Sequence, residues 1–139
     1  MFSVTGFMLN LTKGDSSVTK NRVLLVDDDK AILRSIGLVL DRNGFITDKA
    51  ETGKEALSKI KTQAYNVLLV DLKLPDMEGT EILSQIESPE TVKIMFTGFP
   101  SLVSGMQAMD KGVDAYLPKP VKPEELVGVI KAKLAQRKK

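Results

Sequence analysis

The chain has 139 residues, of which 42% are hydrophobic and 27% are charged, and its 20 Lys and Arg exceed its 18 Asp and Glu by a formal charge of +2. This length suits one domain that buries roughly two-thirds of its unfolded surface, and the composition is that of neither a disordered tail nor a membrane protein. The sequence contains neither Cys nor His, which excludes disulfides and metal sites built from thiolate or imidazole ligands. It also excludes catalysis by Ser-His-Asp or Cys-His groups.

Residues 1–20 stand outside the pattern of the rest of the chain. Residues 1–11 are mildly apolar, but they lack a basic start and are interrupted by polar residues, so they do not resemble a signal peptide. Residues 12–21 have the composition of a linker. We therefore expect a flexible or loosely docked N-terminal extension over residues 1–20, one domain over residues 21–139, and a cytoplasmic location.

After residue 20, short apolar runs alternate with segments of helical spacing. The runs predict strands at residues 23–26, 45–49, 66–70, 91–96 and 115–117, of which the second and the fifth are the weaker candidates. The intervening segments predict helices, because their apolar residues recur three or four positions apart. The five apolar sets are Ile32, Ile36, Val39 and Leu40; Ala56, Leu57 and Ile60; Ile82, Leu83 and Ile86; Leu102, Met106 and Met109; and Leu126, Val127, Ile130 and Leu134.

Turn and cap residues agree with this count of elements. Asn43 and Gly44 end the first predicted helix, Gly112 follows the fourth, and Pro123 opens the fifth. Five alternating β-α units predict an α/β fold, a parallel sheet with helices on both faces, because parallel neighbours need crossover helices. Ligands bind to such sheets beyond the carboxyl ends of the strands, and candidate site residues should follow the apolar runs.

Acidic residues follow the first and the third predicted strands. Asp27, Asp28 and Asp29 come directly after the first run, and Asp71 follows the third. We assign Asp29 to capping of the first helix. The other three carboxylates would meet at one edge of the sheet, where their mutual repulsion favours a cation. Without His or Cys, ligation by oxygen alone points to Mg²⁺ or a close substitute.

The fourth and fifth predicted strands end in residues suited to phosphate. Thr97 and Gly98 place a hydroxyl beside an open backbone position. Lys119 brings an ammonium group to the same edge, where it could pair with phosphate oxygens. Lys119 is flanked by prolines, and its bond to Pro120 is a candidate cis peptide.

The first, third, fourth and fifth predicted strands thus end in an acid pair, an acid, a hydroxyl and a lysine. This pattern resembles that of the receiver domains of two-component response regulators. The matching stretches are LLVDDD at 24–29, LLVDLKLPDMEG at 68–79, IMFTGF at 94–99 and YLPKP at 116–120, within a resemblance that covers roughly residues 22–135. The resemblance implies the flavodoxin-like fold, a five-stranded parallel sheet of order 2-1-3-4-5 doubly wound with five helices.

The resemblance also implies roles for the site residues. Asp71 would be the phosphoacceptor, and Mg²⁺ would bind to Asp28, Asp71 and the main-chain carbonyl of Lys73, with Asp27 acting through water.

Thr97, Gly98 and Lys119 would contact the phosphoryl group, and Thr97 with Tyr116 would form the switch. The phosphoryl donor would be a sensor histidine kinase or a His-containing phosphotransfer protein.

No output domain is expected after the fifth helix, so phosphorylation should act through a surface. In the family this surface comprises the fourth helix, the fifth strand and the fifth helix, here about residues 101–111, 115–117 and 123–135. It would bind a target protein, pass the phosphoryl group on, or self-associate. The small positive charge does not favour direct binding of nucleic acid, and the lack of a long apolar run in the sequence does not favour a membrane partner.

Three other classes of function fit the residues less well. A haloacid-dehalogenase-type phosphatase requires a specific residue at the position of Ala31. A flavodoxin requires a phosphate loop after the first strand, where the acids would repel phosphate. A non-phosphorylated pseudo-receiver scaffold would lack Asp71 or Lys119.

Overall fold

A computed structural model describes residues 20–137 of the chain. The expected extension over residues 1–20 lies outside the described residues, apart from Lys20. The elements in chain order are β1 (Arg22–Val26), α1 (Lys30–Arg42), β2 (Ile46–Ala50), α2 (Gly53–Thr62), β3 (Val67–Asp71), α3 (Gly79–Leu83), β4 (Val92–Thr97), α4 (Leu102–Asp110), β5 (Ala115–Pro118) and α5 (Pro123–Arg137).

The five strands form one parallel sheet in the order β2-β1-β3-β4-β5, which confirms the predicted flavodoxin-like arrangement. Side chains of a strand alternate between the two faces, so β1 contributes Val23 and Leu25 to one core and Leu24 and Val26 to the other. Helices α1 and α5 cover the first core, and α2, α3 and α4 cover the second. Burial on both faces explains why the central strands read as continuous apolar runs.

The structure confirms the helix ends that were predicted from capping and turn residues. Asp29 caps α1 by accepting hydrogen bonds from the backbone N–H groups of Ala31 and Ile32. Gly44 and Gly112 have positive φ angles of 88° and 83° just after α1 and α4, a conformation that glycine adopts without strain. Pro123 opens α5 as its first residue.

The third helix is shorter than its apolar spacing predicts. Helix α3 ends at Leu83, so the expectation that Ile86 is helical was wrong. The N–H groups of Gln85 and Ile86 donate to carbonyls three residues back rather than four, which tightens the chain into a turn. Ile86 still packs against the core, which is why the spacing looked helical.

Among residues 20–137, the helices lack the combination of length and apolar character that a membrane crossing requires.

Candidate functional site

Adjacent strands carry the acidic residues to one place. In the register of β1 and β3, Val26 pairs with Val70, so the residues that follow them, Asp27 and Asp71, lie side by side at the carboxyl edge of the sheet. Asp28, the next residue after β1, completes a cluster whose carboxylate oxygens, one from each residue, lie within 4.8 Å of one another. The structure thus brings the three predicted acids together.

The three carboxylates differ in exposure. Asp27 is fully buried and Asp71 is buried, whereas Asp28 is exposed. The Oδ1 atom of Asp27 accepts a hydrogen bond of 2.8 Å from the N–H of Asp29. One side of the cluster is therefore enclosed by protein and the other opens to solvent through Asp28.

The Lys119 ammonium lies between the two buried acids. Its Nζ atom is 2.8 Å from Asp27 Oδ2 and 3.1 Å from Asp71 Oδ2. The contact with Asp71 is a hydrogen bond, whereas Asp27 Oδ2 makes an ion pair but no well-directed hydrogen bond to any described residue. The Lys119 N–H donates to the Thr97 carbonyl at 2.8 Å, and the Lys119–Pro120 peptide bond is cis.

The surroundings raise the pKa values of both Asp27 and Lys119. Burial raises the pKa of Asp27, and it outweighs the ion pair with Lys119 and the hydrogen bond from the Asp29 N–H. Burial alone would lower the pKa of Lys119, but its close contacts with Asp27 and Asp71 and the charges of these carboxylates outweigh burial and raise that pKa. Lys119 therefore stays protonated and partly neutralises the cluster at neutral pH.

The chemistry of the site fits a hard divalent cation. All the side-chain donors are carboxylate oxygens, and one oxygen from each residue lies within 4.8 Å of the others. Asp28 adds a solvent-facing oxygen, which suits an ion that keeps part of its water shell.

Thr97 and Gly98 lie beside this cluster, at the end of β4. The Thr97 side chain is fully buried, and its Oγ1 atom accepts a hydrogen bond of 3.1 Å from the Phe99 N–H. The hydroxyl proton of Thr97 is thus left to be donated. A Cβ atom added to Gly98 would meet no atom within 4 Å, so the backbone is open to approach there.

The loop after β3 is folded tightly against the end of that strand. The Lys73 N–H donates to Asp71 Oδ1 at 3.2 Å, and Lys73 and Glu78 form an antiparallel bridge. The Lys73 ammonium pairs with the Glu78 carboxylate at 2.8 Å. Gly79 lies so close to Asp71 that an added Cβ would be 2.4 Å from the Asp71 carbonyl oxygen.

Tyr116 lies on β5, facing α4 rather than the acids. Its hydroxyl hydrogen bonds to the Ser104 hydroxyl, and its ring is close to Gly105. Helix α4 also presents a set of largely exposed apolar side chains, Leu102, Val103, Met106 and Met109, and Phe99 before the helix is exposed as well. The structure therefore places Tyr116 against α4.

Two residues near the site, Ser104 and Asp76, carry no sequence signal that predicts their contacts. The Asp76 carboxylate accepts hydrogen bonds from the N–H groups of Gly53 and Lys54, at the start of α2. A Pro-Asp dipeptide signals a turn, but no local signal identifies partners more than twenty residues away.

Comparison with known proteins agrees with this geometry. Residues 23–131 match the family described as the response regulator receiver domain. The transcriptional regulatory protein ResD of Bacillus subtilis is 35% identical over 116 residues, which are 83% of this chain and 48% of ResD. The chain therefore spans about half the length of this relative.

Solved structures extend the likeness to three dimensions. The crystal structure of a CheY-like response regulator receiver domain protein from Methanospirillum hungatei JF-1 has 43% sequence identity and a TM-score of 0.83, covering 86% of this chain and 98% of that one. The solution structure of the beryllofluoride-activated NtrC4 receiver domain dimer has 34% identity and a TM-score of 0.78, covering 84% and 98%. With the family match over most of its length and the same fold as these structures, the chain belongs to the response regulator receiver domain family.

Proposed function

We propose that this receiver domain accepts a phosphoryl group on Asp71 from a sensor histidine kinase or a His-containing phosphotransfer protein. Receiver domains of this family are signalling phosphoacceptors that work with such donors. The observation that carries the proposal is the position of Asp71, a buried carboxylate at the end of β3 that lies between two further acids and an ammonium group. We place the reaction in the cytoplasm, where ATP provides the phosphoryl group that the kinase transfers.

The transfer is a substitution at phosphorus. A carboxylate oxygen of Asp71 attacks the phosphorus atom and forms a P–O bond, while the P–N bond of the donor phosphohistidine breaks and its electron pair stays with the imidazole. With a small acyl phosphate as donor, the bond that breaks is P–O and the leaving group is a carboxylate. The product in both cases is an aspartyl phosphate.

Asp28, Asp71 and the Lys73 main-chain carbonyl would hold Mg²⁺ directly, with Asp27 acting through water. When bound, the ion neutralises negative charge on the transferring group. The three close carboxylate oxygen donors support this assignment. The folded loop supports the inclusion of Lys73, because its backbone is already tied to the Asp71 carboxylate.

Three residues would receive the phosphoryl group. Lys119 supplies a positive charge next to Asp71, and its 3.1 Å contact with that carboxylate supports this role. Thr97 donates its free hydroxyl proton to a phosphoryl oxygen, since its Oγ1 already accepts from Phe99. Gly98 leaves room for the group because no atom lies within 4 Å of an added Cβ.

The signal would leave through α4, β5 and α5. Movement of Thr97 towards the phosphoryl group would free space that Tyr116 can enter, breaking the Tyr116–Ser104 hydrogen bond and repacking α4. The exposed apolar side chains of α4 support this face as a contact surface. Its partner would be a target protein, a phosphotransfer domain or a second copy, as in the NtrC4 receiver dimer.

Incubation with a small acyl phosphate and Mg²⁺, followed by intact-mass measurement, tests the acceptor. We expect one added phosphoryl group on the wild-type protein and none on Asp71→Asn, which keeps the shape of the side chain but lacks the nucleophile. Turnover of the acyl phosphate without a stable adduct would instead favour a phosphatase. Labelling of Asp71→Asn at the wild-type rate would refute Asp71 as the acceptor.

Amide chemical shifts with and without beryllofluoride and Mg²⁺ test the output face. We expect changes in residues 101–111 and 123–135 as well as in the loops after Asp28 and Asp71. Changes confined to those two loops would remove the basis for this face and favour the first two helices as the docking surface.

A further inference from the structure

The loop between β3 and α3 is attached to the start of α2 as well as to the acceptor strand. Asp76 Oδ1 accepts the Gly53 N–H at 2.8 Å, and Asp76 Oδ2 accepts the Lys54 N–H at 2.9 Å. Thr52, the residue before the helix, accepts the Glu55 N–H through its own side chain at 3.1 Å. The free N–H groups of α2 are thus capped by two separate segments of the chain.

Packing reinforces the Asp76 contact. A Cβ atom on Gly53 would lie 2.3 Å from Met77 Cγ, so the Met77 side chain occupies the space that any other residue at position 53 would need. Both hydrogen bonds to the backbone lower the pKa of Asp76, led by the bond from Gly53. An ionised carboxylate at the positive end of α2 is the favourable arrangement for a helix dipole.

The same loop reaches the acceptor at its other end. The Gly79 N–H donates to the Leu72 carbonyl at 2.8 Å, and the Leu74 N–H donates to the Met77 carbonyl at 3.1 Å. With the Lys73–Glu78 bridge, these bonds close residues 72–79 into a compact hairpin. Movement of Asp76 would therefore be passed to the Lys73 backbone, which is bonded to Asp71.

We propose that Asp76 is a positioning residue for Mg²⁺: by anchoring the hairpin of residues 72–79 on the start of α2, it holds the main-chain carbonyl of Lys73 at the acidic cluster. This inference rests on the proposed function, because the metal ligands are those proposed above. Asp76 itself does not touch the ion. It acts as an outer-shell partner does in metal sites, by fixing a ligand in place.

Thr52→Ala and Asp76→Ala form a matched pair of variants. Each removes side-chain capping from the first turn of α2, but only Asp76→Ala releases the hairpin. If Asp76 were merely a helix cap, both variants would behave alike towards Mg²⁺. Asp76→Asn is an intermediate, because its amide offers one oxygen and cannot accept both N–H groups.

Calorimetric titration of Mg²⁺ into the metal-free variants measures the effect without phosphoryl transfer. We expect Asp76→Ala to weaken Mg²⁺ binding roughly tenfold, the lower end for outer-shell partners. Asp76→Asn should lose less affinity, and Thr52→Ala should bind as the wild type does. Amide exchange in metal-free protein should accelerate at Leu74 and Gly79 only in the Asp76 variants.

Wild-type affinity in Asp76→Ala, or an equal loss in Thr52→Ala, would overturn the inference. If Asp76→Ala does not fold, wild-type affinity in Asp76→Asn would overturn it as well. A wild-type protein that binds Mg²⁺ but takes no phosphoryl group would contradict the proposed function alone, so the two failures are distinguishable.

Discussion

Replacing Lys119 by methionine should destabilise the metal-free protein, because Lys119 is the counter-ion of two buried carboxylates. Its Nζ atom is 2.8 Å from Asp27 and 3.1 Å from Asp71, and the Lys119 side chain is 19% exposed. Removing one partner of a buried ion pair costs about 3–5 kcal/mol. The partial exposure of Lys119 places the expected loss near the lower end, about 3 kcal/mol at pH 7.

Protonation of Asp27 limits this loss and makes it depend on pH. Starting from its ordinary pKa of 3.8, neutralising Asp27 at pH 7 costs at most about 4 kcal/mol in the free energy of unfolding. At pH 5 the same limit is about 2 kcal/mol. The difference in stability between wild type and Lys119→Met should therefore shrink as the pH falls from 7 to 5.

Urea unfolding followed by circular dichroism measures this difference as a shift in midpoint at constant slope. Millimolar Mg²⁺ should raise the stability of Lys119→Met more than that of the wild type, since the cation no longer competes with the ammonium for the carboxylates. The matched control is Lys122→Met, which removes the same charge from an exposed position and should change stability by less than about 0.5 kcal/mol.

A Lys119→Met variant with the wild-type midpoint at pH 7 would refute the ion-pair argument. A loss of the same size at pH 5 and pH 7 would show that packing, and not charge, accounts for the effect. The double variant with Asp27→Asn provides a further check, because removing the buried charge should recover much of the lost stability.

Three further outcomes follow from the site geometry. Asp28→Ala should fold without metal, since Asp28 is exposed, but calorimetry should find that Mg²⁺ no longer raises its melting temperature. Gly79→Ala should lower the free energy of unfolding in urea by about 1–3 kcal/mol, because its Cβ would press on the Asp71 carbonyl. Gly98→Ala is the control, since the space around it is open and it should unfold as the wild type does. The raised pKa of Lys119 stabilises the folded protein fully below the ordinary pKa of 10.5, and this stabilisation is lost as the pH rises through the higher pKa of the folded state. Urea midpoints of the metal-free wild type should therefore fall in that alkaline range, whereas those of Lys119→Met should not.

Much of the fold could be predicted from local patterns. The central strands are apolar throughout because helices cover both faces of the sheet, and Asp29, Gly44 and Pro123 mark helix ends by their own backbone and capping preferences. The end of α3 could not be predicted in this way. Ile86 packs on the core from a turn, and apolar spacing records burial without recording the backbone conformation that achieves it.

The sequence by itself determined which residues follow each strand, and in a parallel sheet this brings Asp27, Asp28, Asp71, Thr97 and Lys119 to one edge. Only the tertiary structure decided where their side chains find partners. Lys119 lies between two acids, Tyr116 bonds to Ser104, and Asp76 caps a helix 22 and 23 residues earlier in the chain. Such contacts depend on how elements distant in sequence pack together, because side-chain direction and reach are set by that packing and leave no local periodicity.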